Sequence, residues 1–171
     1  VRGLLVGRFQ PFHLGHLAVV RHVQKQHPEE TLVLGVGSAE DSYTADNPFT
    51  AAERQEMISR ALSARHIAGW VTVPIPDIHR HALWVAHVAE LVPPFERVYT
   101  NNALTRALFE RSGYTVEGTP LFDRDRYEGR AIRVQIREGG VEWKKALPPA
   151  VAEYLTELRA ADRLQATDPA R

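Results

Sequence analysis

Arg8, His13 and His16 stand close together in the chain, with Gly7 and Gly15 around them and Pro11 in their midst. Guanidinium and imidazole groups donate hydrogen bonds to anions, the glycines allow close backbone approach, and the proline stiffens the loop. Three potential cations in a segment that follows a strand and opens a helix describe a phosphate cradle without the lysine of a Walker loop. A second cluster holds Asp77, His79, His81, Trp84 and His87. Its spacing closes no familiar four-ligand zinc site, so no metal ligand is assigned; surface histidines beside a substrate pocket are the alternative, and Trp84 by residue type suits a core. A third set, Glu128, Gly129, Arg130 and Arg133, lies where a charged loop enters a helix near Ala131, with Arg133 in its first turns.

The elements that must carry these residues follow from hydrophobic periodicity. Leu4, Leu5 and Val6 read as a buried strand ended by Gly7; the run from His16 reads as an amphipathic helix, opened by His16, whose stripe Leu17, Val20 and Val23 stops before Pro28. Thr31–Gly37 is a second buried strand, and the connection has the length of a parallel βαβ crossover. After a polar loop over 38–47, Thr50 with Glu53 three residues on predicts a capping box for a helix with Met57, Ile58, Ala61 and Leu62 inward. Trp70–Ile75 is a third strand, 79–91 a helix, 95–99 a strand, Leu104, Ala107 and Leu108 the stripe of a short helix, and 114–117 a further extended segment. This alternation predicts an α/β fold: a Rossmann-like open, mainly parallel sheet with helices on both faces. Ligands of such sheets collect at the carboxyl ends of strands, here the segments after Gly7, Gly37, Ile75 and Tyr99. Trp143, Leu147, Val151 and Leu155 supply a C-terminal helical cap over 148–171, starting at Pro148 or Pro149, with a tail from Ala166 that frays.

Composition limits the function classes. The chain has 171 residues, 44% of them hydrophobic, which predicts one domain over 1–171 with a substantial core. Lys+Arg and Asp+Glu are both 21, a balance that argues against a general nucleic-acid binder. Cysteine is absent, which excludes disulfides, thiol nucleophiles and cysteinyl metal sites. With neither a signal core nor a long apolar span, no membrane partner and a cytoplasmic location are expected.

The stretch Gly7-Arg-Phe-Gln-Pro-Phe-His-Leu-Gly-His16 resembles the signature of the HxGH nucleotidyltransferase superfamily. From Arg2 through Leu147-Pro-Pro the chain is similar to archaeal-type nicotinamide-nucleotide adenylyltransferases. Such enzymes join ATP to nicotinamide mononucleotide, giving NAD and pyrophosphate with Mg²⁺. The resemblance implies that His13 and His16 hold the ATP phosphates, with His16 nearest the transferring centre. Arg133 would clamp the departing triphosphate portion and Arg8 would be a second charge partner. Gly7, Phe9 and Gln10 would shape the loop and offer backbone contacts, Gly129 and Arg130 would meet the phosphates, and Asp77 and Trp84 would receive the nicotinamide nucleotide, the indole on the ring. Mg²⁺ would ride chiefly on ATP oxygens and water. A homo-oligomer, specifically a hexamer, is also implied.

The chain departs from that pattern at four positions. His81 stands where asparagine is usual, Glu128 and Arg130 replace a serine and a threonine, and Asp46 stands where relatives can carry a basic residue. Arg130 can offset Glu128 by pairing with it or by reaching a phosphate; if it does neither, weak ATP binding is expected. Two other readings stay open at this level: a nucleotidyltransferase of the same superfamily with a different acceptor, and a catalytically weakened nucleotide-binding assembly module.

Overall fold

The computed structural model describes residues 1–123 and 126–167. In chain order the elements are β1 (Arg2–Gly7), α1 (Leu14–Gln26), β2 (Thr31–Gly37), α2 (Ala51–Ala64), β3 (Trp70–Ile75), α3 (His81–Leu91) and β4 (Arg97–Tyr99). There follow α4 (Ala103–Arg111), β5 (Thr115–Glu117), α5 (Gly129–Glu138), a 3₁₀ turn (Glu142–Ala146), α6 (Pro149–Glu157) and α7 (Ala160–Ala166). Among the described residues no helix is long and apolar enough to cross a membrane. The chain gathers into two compact units: residues 1–7, 19–39 and 69–120 form the first, and residues 8–18, 40–68 and the described residues from Leu121 onward form the second.

The first unit holds a five-stranded parallel sheet of order β3-β2-β1-β4-β5. Leu32, Val33 and Leu34 are all buried, the mark of a strand covered on both faces. Leu4, Val33, Ile75 and Val98 share one core with Val85 and Val88 of α3, Phe95, and Phe109 of α4. Arg97 and Tyr99, out of phase with Val98, instead meet His27 just beyond α1. Helices therefore flank both faces, as the alternation predicts. Pro74 lacks a ladder N–H and is accommodated because β3 is an edge strand. Strand order reverses at β1, so the topological switch falls between β1 and β4.

In the second unit the predicted capping box opens α2. Thr50 Oγ1 accepts the Glu53 N–H at 3.1 Å, and Glu53 Oε1 accepts the Thr50 N–H at 2.9 Å. Arg163 of α7 grips the same carboxylate at 2.6 and 2.9 Å. Burial pushes the Glu53 pKa up, but these hydrogen bonds and the guanidinium charge outweigh it and leave the pKa below its ordinary value. Met57, Ile58, Ala61 and Leu62 are fully buried, α6 packs on α2, and α7 packs on α5. Pro149 is the first residue of α6, and Trp143, Leu147, Val151 and Leu155 are buried as their spacing predicts.

Several local expectations change, and α3 begins at His81 rather than at 79. α1 begins at Leu14 rather than at His16, because His13 takes the cap position. The strand expected over 95–99 shortens to Arg97–Tyr99, with Phe95 used in the core instead. On α4 the fully buried residue is Phe109, whereas Leu104 stays 50% exposed at the rim of a cavity. Of the expected tail, residues 168–171 lie outside the described residues.

Candidate active site

His13 caps α1 and His16 is its third residue, and each spends Nδ1 as an acceptor. His13 Nδ1 receives the N–H groups of Gly15 (3.1 Å) and His16 (3.3 Å), while His16 Nδ1 receives the His13 N–H (3.1 Å). This is a capping box made of two imidazoles in place of the usual hydroxyl and carboxylate. The rings stack with centroids 3.6 Å apart and planes at 20°. An accepting Nδ1 carries no proton, so each neutral ring bears its proton on Nε2 and offers that N–H outward as a donor. Burial lowers the His13 pKa to about 4. It also drives His16 well below the usual imidazole range, with repulsion from His13 adding to the effect. The expected trio of cations is thus corrected: near pH 7 the two imidazoles are neutral, oriented donors rather than cations.

Gly15 makes this geometry possible. A Cβ there would lie 2.9 Å from His13 Cε1 and 3.1 Å from Tyr127 Cβ, so any side chain would drive the capping ring from its place. Phe9 lies edge-on to His16 with ring centroids 4.8 Å apart, and its backbone has a φ of 51°, a strained setting for a bulky residue. The Gln10 amide pairs twice with the Phe49 backbone, Nε2 donating to the carbonyl and Oε1 accepting from the N–H, both at 3.0 Å. Beneath the loop Arg54 is fully buried and donates to the carbonyls of Arg8 (2.8 Å) and Thr50 (3.2 Å). Burial pushes its guanidinium down to about 10. Arg54 was not singled out from sequence, although an arginine on the inward stripe before Met57 and Ile58 was a readable signal.

Arg133, in the second turn of α5, is 7% exposed and donates from Nη1 to the Gln10 carbonyl at 2.9 Å. Burial lowers its pKa, opposed by the carboxylates of Asp46 and Glu128. Gly129 leaves it room, since a Cβ there would stand 3.0 Å from Arg133 Nη1. Arg8, His13, His16, Gly129, Arg130 and Arg133 line one cavity of about 570 Å³. Phe9 and Gln10 contribute to the same wall, as do Asp46 and Glu128. Gly7 closes β1 and is not among the lining residues. Glu128 sits at the cap position of α5 without a side-chain cap bond, and among the described residues no ion pair joins it to Arg130.

In the first unit Asp77 and Trp84 share a cavity of about 280 Å³ with His79 and His81. Asp77 Oδ1 accepts the His79 N–H at 2.9 Å, and Trp84 rests edge-on against Phe109. The same cavity is also lined by Asn102, Leu104, Thr105 and Leu108, which sequence reasoning missed as site residues. Their position just after β4, at a strand's carboxyl end, was the available clue. His87 is outside this cavity and bonds the Pro76 carbonyl at 2.8 Å.

Comparison with known proteins gives these cavities a context. Residues 4–139 match the Cytidylyltransferase-like family. The chain is 42% identical over 165 residues to the nicotinamide-nucleotide adenylyltransferase of Picrophilus torridus, covering 96% of each. It is 44% identical over 170 residues to that of Archaeoglobus fulgidus, again covering 96% of each. A solved bifunctional NMN adenylyltransferase/ADP ribose pyrophosphatase from Francisella tularensis superposes with a TM-score of 0.79 at 19% identity, over 95% of this chain and 51% of that one. The chain thus spans about half of that structure, and at this identity the likeness speaks for the fold alone. On the sequence matches, the chain belongs to the cytidylyltransferase-like family and, within it, to the nicotinamide-nucleotide adenylyltransferases.

Proposed function

We infer that the chain transfers the adenylyl group of ATP to nicotinamide mononucleotide, forming NAD and releasing pyrophosphate. Family membership supports the reaction; the observation that supports the place is the pair of neutral Nε2–H donors beside Arg133 in one cavity. The acceptor's 5′-phosphate, with a second pKa of roughly 6, is already ionised at neutral pH, so no general base is needed. One of its oxygens attacks the α-phosphorus in line. A new phosphorus–oxygen bond forms while the bond from the α-phosphorus to the β-phosphate oxygen breaks, and the electron pair leaves with pyrophosphate. In this reading His16 and His13 donate to the phosphoryl oxygens as charge shifts, without reorganising, because the helix cap already holds their rings. Arg133, fixed by the Gln10 carbonyl, grips the departing phosphates, with Arg8 and Arg130 as exposed charge partners.

Trp84 and Asp77 receive the nicotinamide nucleotide, the indole offering a face to the ring. Mg²⁺, when it accompanies the nucleotide, supplies charge neutralisation, and Asp46 and Glu128 are the carboxylates of this cavity able to face it. We further propose that residues 1–171 act as a single nucleotidyltransferase domain, in the cytoplasm and as a homo-oligomer, a hexamer by family likeness. The test is direct. Purified protein with ATP, Mg²⁺ and nicotinamide mononucleotide should yield NAD by mass and stoichiometric pyrophosphate; the nicotinate analogue and other phosphorylated acceptors should react more slowly. Faster transfer to another acceptor would move the chain to a different substrate class, and nucleotide binding without transfer would make it an assembly module.

A further inference from the structure

The phosphate cavity carries two carboxylates, Asp46 and Glu128, for which the described residues supply no ion-pair partner. Glu128 caps α5 without a side-chain bond to it, Asp46 projects from the polar loop, and among the described residues neither forms an ion pair. Both lie close enough to Arg133 to oppose the lowering of its pKa. In the same cavity, His13 and Arg133, each only 7% exposed, point to an anionic ligand. Among the described residues the His13 Nε2–H has no partner, and Arg133 has only the Gln10 carbonyl. An anion site that also presents two carboxylates is built for a ligand carrying charges of both signs.

The charge balance sharpens this. Among the described lining residues, Arg8, Arg130 and Arg133 contribute three positive charges, Asp46 and Glu128 two negative, and the imidazoles none, leaving +1. A bare triphosphate, with several negative charges, meets too little compensation and two repelling groups. The same triphosphate complexed to a divalent cation brings fewer net charges and a hydrated ion. Mg²⁺ keeps several waters and is commonly held by one or two carboxylates together with substrate phosphates. The donor set here fits that description.

We propose that Asp46 and Glu128 are specificity residues for the metal-complexed nucleotide: they repel bare ATP and hold the hydration shell of the cation on its phosphates. This rests on the assignment of the cavity to the ATP phosphates. It makes the acidic replacement at position 128 a device for choosing the ionic form of the substrate rather than a defect.

Calorimetric titration of ATP in excess EDTA and in excess Mg²⁺ tests it, with wild type, Asp46→Asn, Glu128→Gln, the double variant and Arg130→Gln. Both carboxylates are exposed, so their amide variants keep the fold. Wild type should bind at least tenfold tighter with Mg²⁺. In the double variant EDTA-condition affinity should rise about tenfold and the ratio should collapse toward one. Mn²⁺ in place of Mg²⁺ gives a second readout: the water-proton relaxation enhancement of the protein–Mn²⁺–ATP complex should fall in the double variant. A ratio and an enhancement unchanged from wild type overturn the carboxylate proposal. If Arg130→Gln still weakens ATP binding in that case, the phosphate assignment stands; if every variant binds ATP like wild type, that assignment falls too.

Discussion

Acidification should unfold this protein more steeply than it unfolds the His13→Asn variant. Folding displaces the His13 pKa from 6.5 to about 4. Between those values the unfolded chain binds a proton that the folded chain refuses, so stability falls as pH falls. The loss is at most about 1.4 kcal/mol per pH unit for one group, and about 3 kcal/mol over the whole window. Above pH 6.5 neither state is protonated and the contribution is flat; below about 4 the folded protein takes the proton too and the loss stops. Asparagine at this position still accepts an N–H at the start of α1 but does not titrate. Carboxylates such as Glu53, which lose their own stabilisation as pH falls, are present in both proteins and cancel in the difference. Urea unfolding at pH 7.5, 6.5, 5.5 and 4.5, with the denaturant slope checked for constancy, supplies the free energies. The wild-type curve should drop relative to the variant by up to one proton's worth of slope. Parallel curves would mean that His13 is not held neutral, and the assigned tautomers would fall with it.

His16→Ala should lower turnover on the order of a hundredfold, about 3 kcal/mol, while ATP affinity measured by calorimetry changes far less, and His16→Gln should retain part of the rate. A folded His16→Ala enzyme running near the parent rate would place the reaction centre elsewhere. Trp84→Ala should raise the nicotinamide mononucleotide requirement near tenfold, on the order of 1 kcal/mol of stacking, and leave the ATP requirement in place. Equal acceptor affinity in that variant refutes the stacking role. Thr50→Ala removes the acceptor for the Glu53 N–H and should reduce stability by about 1 kcal/mol in urea, with an unshifted midpoint as the contrary result. ATP supplied without an acceptor should yield AMP no faster than a protein-free control over the same interval.

Much of the scaffold was legible because its signals are local. Thr31–Gly37 and Trp70–Ile75 coincide with the strands β2 and β3, and the Thr50–Glu53 pair forms the reciprocal cap its spacing implies. From the motif Gly7 to His16, Arg8, Phe9, Gln10, His13 and His16 line one cavity and Gly7 does not, and two of the three potential cations are neutral rings. Protonation state depends on which ring nitrogen meets which backbone N–H, and residue types do not encode that. Leu104 looked like core and lines a cavity, because a short helix leaves the choice of buried face to its neighbours. Asn102 and Thr105 stayed invisible for a related reason: they reach Trp84 only through the order of strands in the sheet. Arg54 broke the expectation that an inward stripe is apolar, since its guanidinium donates to the main-chain carbonyls of Arg8 and Thr50.

The imidazole pair also decides what cannot react. With both Nδ1 lone pairs tied to main-chain N–H groups and both Nε2 atoms already protonated, neither ring can take a proton from water. A nucleotide phosphate arrives with nothing to lose, whereas water must shed a proton as it attacks phosphorus. On the proposed placement of ATP at these rings, the helix cap would favour the acceptor phosphate over water by their proton inventory.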